Sequence, residues 1–182
     1  KHNDQMKQLR QVLIYSTEVY VQLDINLSPF NVGLPIELSP FNGEQLEKLS
    51  NVYGFHFQHD GTLSSPITLL LTKLGGHPYL TQLALYELAT KSDFIESPSN
   101  ALKELLISAS KPNGIFGDFL SQLLADIATN AKAIEAFNKF INKDPLTRLE
   151  LYILERLGLV QITDQEPVAI SQIQIAFLRD NL

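Results

Sequence analysis

The sequence predicts a mostly α-helical chain with a small β component. Three observations point there. From Gly43 onward, apolar residues recur at i, i+3 and i+4, the spacing of helices with one buried face. The breaks between these stretches hold proline, glycine and asparagine, which start and stop helices. The apolar runs without helical spacing are short: residues 11–15 and 34–38, and the pair 159–163 and 167–170 about a turn at Asp164-Gln165-Glu166. At 182 residues and 45% hydrophobic content, the chain suffices for one domain, or two small ones, with a buried core.

Taken in order, Gln11-Val12-Leu13-Ile14-Tyr15 does not alternate and reads as a buried, parallel strand. Residues 19–23 alternate and read as a second short strand or a helical turn; residues 26–33 are rich in turn formers. In residues 34–38, Pro35 has no N–H for a ladder, which confines the segment to a strand start or an edge. Asn42 and Gln45 form an approximate capping box for a helix over 43–53, with Leu46, Leu49 and Val52 on one face and a stop at Gly54. Residues 56–65 are polar, with a turn or short hairpin at Asp60-Gly61. Ser65-Pro66 starts a helix that runs to Lys73 and ends in Gly75-Gly76.

The next helix, 79–91, carries a stripe of Leu80, Leu83, Ala84, Tyr86 and Leu88, and residues 92–100 read as a linker between subdomains. Helices follow over 101–109, 116–129, 132–141 and 147–157, the last stopped by Gly158. In 116–129 the inner face is Phe119, Leu120, Leu123, Leu124 and Ile127. A β-hairpin and a last helix over 171–180 come next. Helices followed by a short hairpin form the winged-helix pattern.

Composition removes several function classes. The net charge is −6, which counts against nucleic acid as a main partner, because phosphate binding needs a basic footprint. No segment approaches the ~18 consecutive apolar residues of a membrane span. The polar first ten residues have no apolar h-region behind them and show no signal-peptide pattern, so a cytoplasmic location is expected. The absence of cysteine excludes disulfides, thiol catalysis and cysteine-based zinc sites. A start at Lys1 rather than Met suggests a piece of something longer.

The most informative stretch is Leu74-Gly75-Gly76-His77-Pro78-Tyr79-Leu80. The double glycine lets the backbone turn without a Cβ clash, and Pro78 suits the first turn of a helix. The motif therefore reads as a tight joint whose second helix opens onto an exposed N-terminus, a place that favours phosphate or another anion. Other candidates are weaker. His56-x-x-His59-Asp60 lies in a loop without a further clustered ligand, and two surface histidines are the better reading. Ser16, Thr17 and Glu18 stand just past a strand end, where α/β sheets place ligand sites; Ser and Thr equally serve to cap the following turn. Glu44, Glu47, Glu87, Glu150 and Glu155 are scattered over helix surfaces, where solvation is their role. No Gly-x-Ser-x-Gly, Ser/His/Asp or Walker A pattern occurs. The hairpin end has a DNA-binding shape, but Arg179 and Asp180 on the last helix do not make a basic surface, and protein contact is the better use.

Four blocks carry a family resemblance: Ser16-Thr17-Glu18-Val19-Tyr20, Ser28-Pro29-Phe30-Asn31-Val32-Gly33-Leu34-Pro35-Ile36-Glu37-Leu38, Gly75-Gly76-His77-Pro78-Tyr79-Leu80 and Leu157-Gly158-Leu159-Val160. They resemble the C-terminal half of the AAA-like domain family common in cyanobacteria. That family is similar to the STAND class of P-loop ATPases, relatives of the NB-ARC and NACHT modules. The resemblance covers nearly the whole chain, from about Leu9, and the Ser28–Leu38 block is its most specific part.

The resemblance implies three parts: the remnant of an α/β P-loop core over 1–41, a helical lid over 42–96 and a winged-helix domain over 97–182. It implies that residues 11–15 end in the sensor 1 position, Ser16 or Thr17, although the Arg often found there is absent and Glu18 stands nearby. It makes Gly75-Gly76-His77-Pro78 the GxP motif, whose proline packs on adenine with the adjacent backbone close to base and phosphates. Gly75, Gly76, Pro78, Ser16 and Thr17 are thus the implied nucleotide-binding residues, and no metal ligand or catalytic residue is implied. Some relatives place a winged-helix histidine on the β-phosphate; this chain has no histidine after His77. Walker A and Walker B would precede Leu9, so the resemblance implies a fragment of a full ATPase or a degenerate protein that kept lid and winged helix. Either way, ATP or ADP belongs to the parent protein, tight binding and hydrolysis by this chain alone are not expected, and the role is a nucleotide-dependent regulatory switch. The expected partners are the missing N-terminal half, other proteins, or further copies through exposed N-terminal strands, with no membrane and no nucleic acid. The alternative is a winged-helix adaptor that binds protein and no nucleotide.

Overall fold

Eight helices and one hairpin make up the described residues of the computed structural model, which are 38–58, 62, 65–91, 97–109, 111, 113–164 and 166–182. The segments 11–15, 19–23 and 26–33, all but the end of 34–38, and the turn at Asp60-Gly61 lie outside them. In order come α1 (Gly43–Val52), α2 (Pro66–Leu74), α3 (Pro78–Thr90), α4 (Pro98–Ala109), α5 (Gly117–Ala128), α6 (Ala131–Asn142) and α7 (Arg148–Arg156). The hairpin strands β1 (Val160–Thr163) and β2 (Glu166–Ala169) follow, then α8 (Gln172–Asn181). The chain is mostly helical, with a small antiparallel β component.

Local chemistry sets the helix ends. Asn42 accepts from the Gln45 N–H at 2.9 Å while the Gln45 side chain accepts from the Asn42 N–H at 3.0 Å, a complete capping box worth about 0.5–2 kcal/mol. Thr147 and Glu150 repeat the device at the start of α7, and Asn130 caps α6. Proline occupies the first turn of α2 and α3. The hairpin pairs Val160 with Ala169 and Thr163 with Glu166.

Residues Ser39–Leu182 form one compact unit. Two apolar clusters fill it. The first gathers Leu46, Phe55, Ile67, Leu70, Leu80 and Leu85 with Leu102, Phe116 and Leu120, and takes in Ile173 and Phe177 of α8. The second holds Ile127, Ala133, Phe137, Leu154, Leu159, Val160 and Leu178. Side chains on both sides of residue 96 therefore share the first cluster, and α8 supplies both.

Four expectations need correction. Val52 is 81% exposed, and Ser50 takes the inner position one turn after Leu46. On α3, Tyr86 is 57% exposed and Leu85 is fully buried. That helix is covered on two flanks, by α2 and by α4, so its buried arc (Leu80, Thr81, Ala84, Leu85, Leu88) is wider than a single stripe. Residues 98–100 are not linker: Ser97 accepts from Asn100 and Ala101, and Pro98 opens α4. Glu150 is not a solvated surface carboxylate. It is buried between α6 and α7, accepting from Lys139 Nζ at 2.5 Å, from Thr147 N–H at 2.6 Å and from Thr147 Oγ1 at 2.8 Å.

Two outcomes follow. Leu85→Ala is expected to lower the unfolding free energy by about 2–5 kcal/mol, and Tyr86→Ala to change it by about 0.5 kcal/mol or less, both read by urea denaturation. The ammonium of Lys139 and the two donors of Thr147 hold the Glu150 carboxyl down at about 2, against an ordinary 4.5. A carboxyl depressed in the folded state stabilises above its unfolded pKa, and that contribution is lost as pH falls through the folded value. The stability advantage of the unaltered chain over Glu150→Gln is thus expected to be full at neutral pH and to shrink between about pH 4.5 and about pH 2. Thermal melts across that range measure it.

Candidate functional site

The turn between α2 and α3 is built from two consecutive left-handed residues, Gly75 at φ +64° and Gly76 at φ +69°. An L-residue is strained there by roughly 1–2 kcal/mol, and glycine is not. The Gly75 N–H donates to the Leu71 carbonyl at 2.7 Å, and the His77 N–H to the Leu74 carbonyl at 3.0 Å. The Leu71 and Leu74 carbonyls of α2 are thus satisfied within the turn itself.

Space requires glycine as strictly as conformation does. A Cβ on Gly76 would run into the carbonyl oxygen of Phe41, and one on Gly75 into the carbonyl oxygen and Cγ2 of Ile170. The Phe41 N–H also donates to the Gly76 carbonyl at 2.8 Å. On the other side, Ser171 Oγ donates to the Lys73 carbonyl at 2.8 Å. Three chain segments therefore meet at this joint: the approach to α1, the α2–α3 turn, and the corner between β2 and α8.

His77 caps α3, its Nδ1 accepting from the Leu80 N–H at 3.4 Å. Its ring stands edge-on to Phe119 of α5, 5.0 Å between centroids at 71°, and Tyr79 tilts against the same ring at 5.9 Å. Pro78 and Tyr79 are exposed, so the joint presents an apolar and aromatic shelf to solvent. As an anion site the helix start is poorer than its sequence suggests. Pro78 has no N–H, and the Leu80 N–H is turned to the His77 ring.

Gly75, Gly76 and Pro78 thus lie together in one joint, while Ser16 and Thr17 lie outside the described residues. His59 and Asp60 also lie outside; His56 Nδ1 pairs with Asn51 Oδ1 at 2.9 Å. Among the described residues no three His, Cys, Asp or Glu side chains come together as a metal site. No described helix is long and apolar enough to cross a membrane. A shallow groove beside the Glu87–Lys91 ion pair, between α3 and α4, sits about 15 Å from Pro78 along α3 at ~1.5 Å per residue, and takes no part in the joint. Sequence reasoning missed Phe41, Phe119, Ile170 and Ser171. The pattern Ser171-x-x-Gln174 signals a helix start, but nothing local signals contact with residues 73–76.

Gly76→Ala is expected to destabilise the chain by about 2–4 kcal/mol, the sum of left-handed strain and a backbone collision. Gly54→Ala shares the positive φ but meets nothing within 4 Å, and should cost only about 1 kcal/mol. Chemical denaturation of the two variants side by side separates collision from strain.

Searches among curated proteins and among solved structures found no match to the chain. The sequence model of the AAA-like domain family matches residues 1–180, nearly the whole length. On that match, the chain belongs to the AAA-like domain family.

Proposed function

We propose that this chain is the lid and winged-helix part of a STAND-like ATPase and acts as a nucleotide-dependent regulatory switch in the cytoplasm. Residues 42–96 form the lid in this reading and 97–182 the winged helix. ATP or ADP is held by the whole ATPase, with no hydrolysis by this chain alone. Pro78, with Gly75 and Gly76 behind it, takes the adenine side of the nucleotide; Ser16 and Thr17 sense the phosphate side. The partner that completes the site is the N-terminal half of the ATPase, and output passes to other proteins.

One observation carries the reading. Pro78 and Tyr79 are open to solvent on a joint whose backbone bears directly on Phe41 and on Ile170. A flat base resting on that shelf contacts the point where three segments meet. A ligand that binds one arrangement tenfold better than another biases the equilibrium by about 1.4 kcal/mol, enough to switch a nearly balanced pair of states. The second reading, a winged-helix adaptor without nucleotide, draws on the exposed Leu149 and Tyr152 of α7.

Calorimetric titration tests the first reading. ADP added to the chain together with the residues encoded upstream of Lys1 is expected to release heat, with affinity reduced about tenfold in Pro78→Ala, the equivalent of about 1.4 kcal/mol. ADP added to residues 1–182 alone is expected to release none. No heat from the longer chain sinks the nucleotide reading and favours the adaptor.

A further inference from the structure

We propose that Ser171 is a positioning residue for the Gly75–Pro78 joint, a latch through which displacement at the joint reaches α8. The proposal rests on reading that joint as a switch point. One hydroxyl oxygen serves two helix ends. Ser171 Oγ donates to the Lys73 carbonyl in the last turn of α2 at 2.8 Å, and it accepts from the Gln174 N–H in the first turn of α8 at 3.3 Å. The side chain is fully buried, so water does not replace either bond in the folded state.

The neighbouring residue completes the corner. The Ile170 N–H donates to the Leu159 carbonyl at 3.0 Å, tying the corner to the base of the hairpin, while its own carbonyl and Cγ2 lie against Gly75. Because Gly75 has no side chain, nothing compressible separates the two backbones. A shift of Gly75 must move Ile170 or break the latch. Past the corner, α8 places Ile173 and Phe177 in the first apolar cluster and Leu178 in the second. A movement of α8 is therefore felt in both. The competing route runs through Phe119 and α5, which also spans the clusters and does not use Ser171.

Amide hydrogen exchange on residues 1–182 without any ligand tests the latch. In Ser171→Ala, exchange at Gly75, His77 and Gln174 is expected to rise on the order of tenfold, with amides of α6 and α7 unchanged. Ser171→Gly keeps a tolerated N-cap residue while removing the hydroxyl, and is expected to give the same rise at Gly75 and His77. A uniform rise across all helices, or no rise at Gly75 and His77 in the Gly variant, overturns the latch. In the longer chain, ADP is expected to slow exchange in α8 of the unaltered protein and not of Ser171→Gly. Protection of α8 that survives in the variant assigns the route to α5 and overturns the proposal. Failure of the unaltered longer chain to bind ADP counts against the nucleotide reading alone, and the ligand-free exchange still decides the latch.

Discussion

Backbone lies directly on backbone at Gly75 and Gly76, and most of the architecture hangs on that close approach. The left-handed pair turns the chain between α2 and α3. The missing side chains let Phe41 settle on one flank and Ile170 on the other. Phe41 fixes where the chain enters α1, and Ile170 fixes where it leaves the hairpin for α8. Glycine loses more conformational freedom on folding than any other residue, so two in succession weaken the turn taken by itself. The burial of Leu70, Leu74, Leu80 and Ile173 around it offsets that loss.

Much of this was legible because helix ends announce themselves locally. Asn42 with Gln45, Gly54, Ser65 before Pro66, and Gly158 act within four residues of where they stand, and each sits at the boundary its chemistry implies. The missed start of α4 obeyed the same rule: Ser97-Pro98 repeats Ser65-Pro66, but the surrounding Ser99 and Asn100 looked like turn. Burial was harder. Tyr86 and Leu85 differ by one position on α3, and the choice between them depends on two covering helices that lie elsewhere in the sequence. Glu150 needed Lys139 from another helix before its burial made sense. Half of the candidate site was visible as a motif, since Gly75, Gly76, His77 and Pro78 are contiguous. The other half, Phe41, Ile170 and Ser171, is brought in by the fold.

The joint also explains how one contact point can serve a molecule with two apolar clusters. Densely packed interiors do not deform smoothly; they move between discrete arrangements. Residues 73–78 touch the elements that lead to each cluster, through α8 on one side and Phe119 of α5 on the other. His77 contributes by stiffening the start of α3, which keeps Pro78 and Tyr79 presented outward rather than folded into the turn. A displacement at this joint therefore bears on elements of both apolar clusters.

The bond from Ser171 to Lys73 closes a loop of 98 residues. Contacts of such long separation form late, because their loop-closure entropy precedes any gain. A nascent chain that has emerged only as far as α7 holds the two glycines with one flank bare and neither apolar cluster complete. Assembly of this joint therefore waits on the synthesis of α8, and a polypeptide halted before that helix would leave the ribosome with the joint unset.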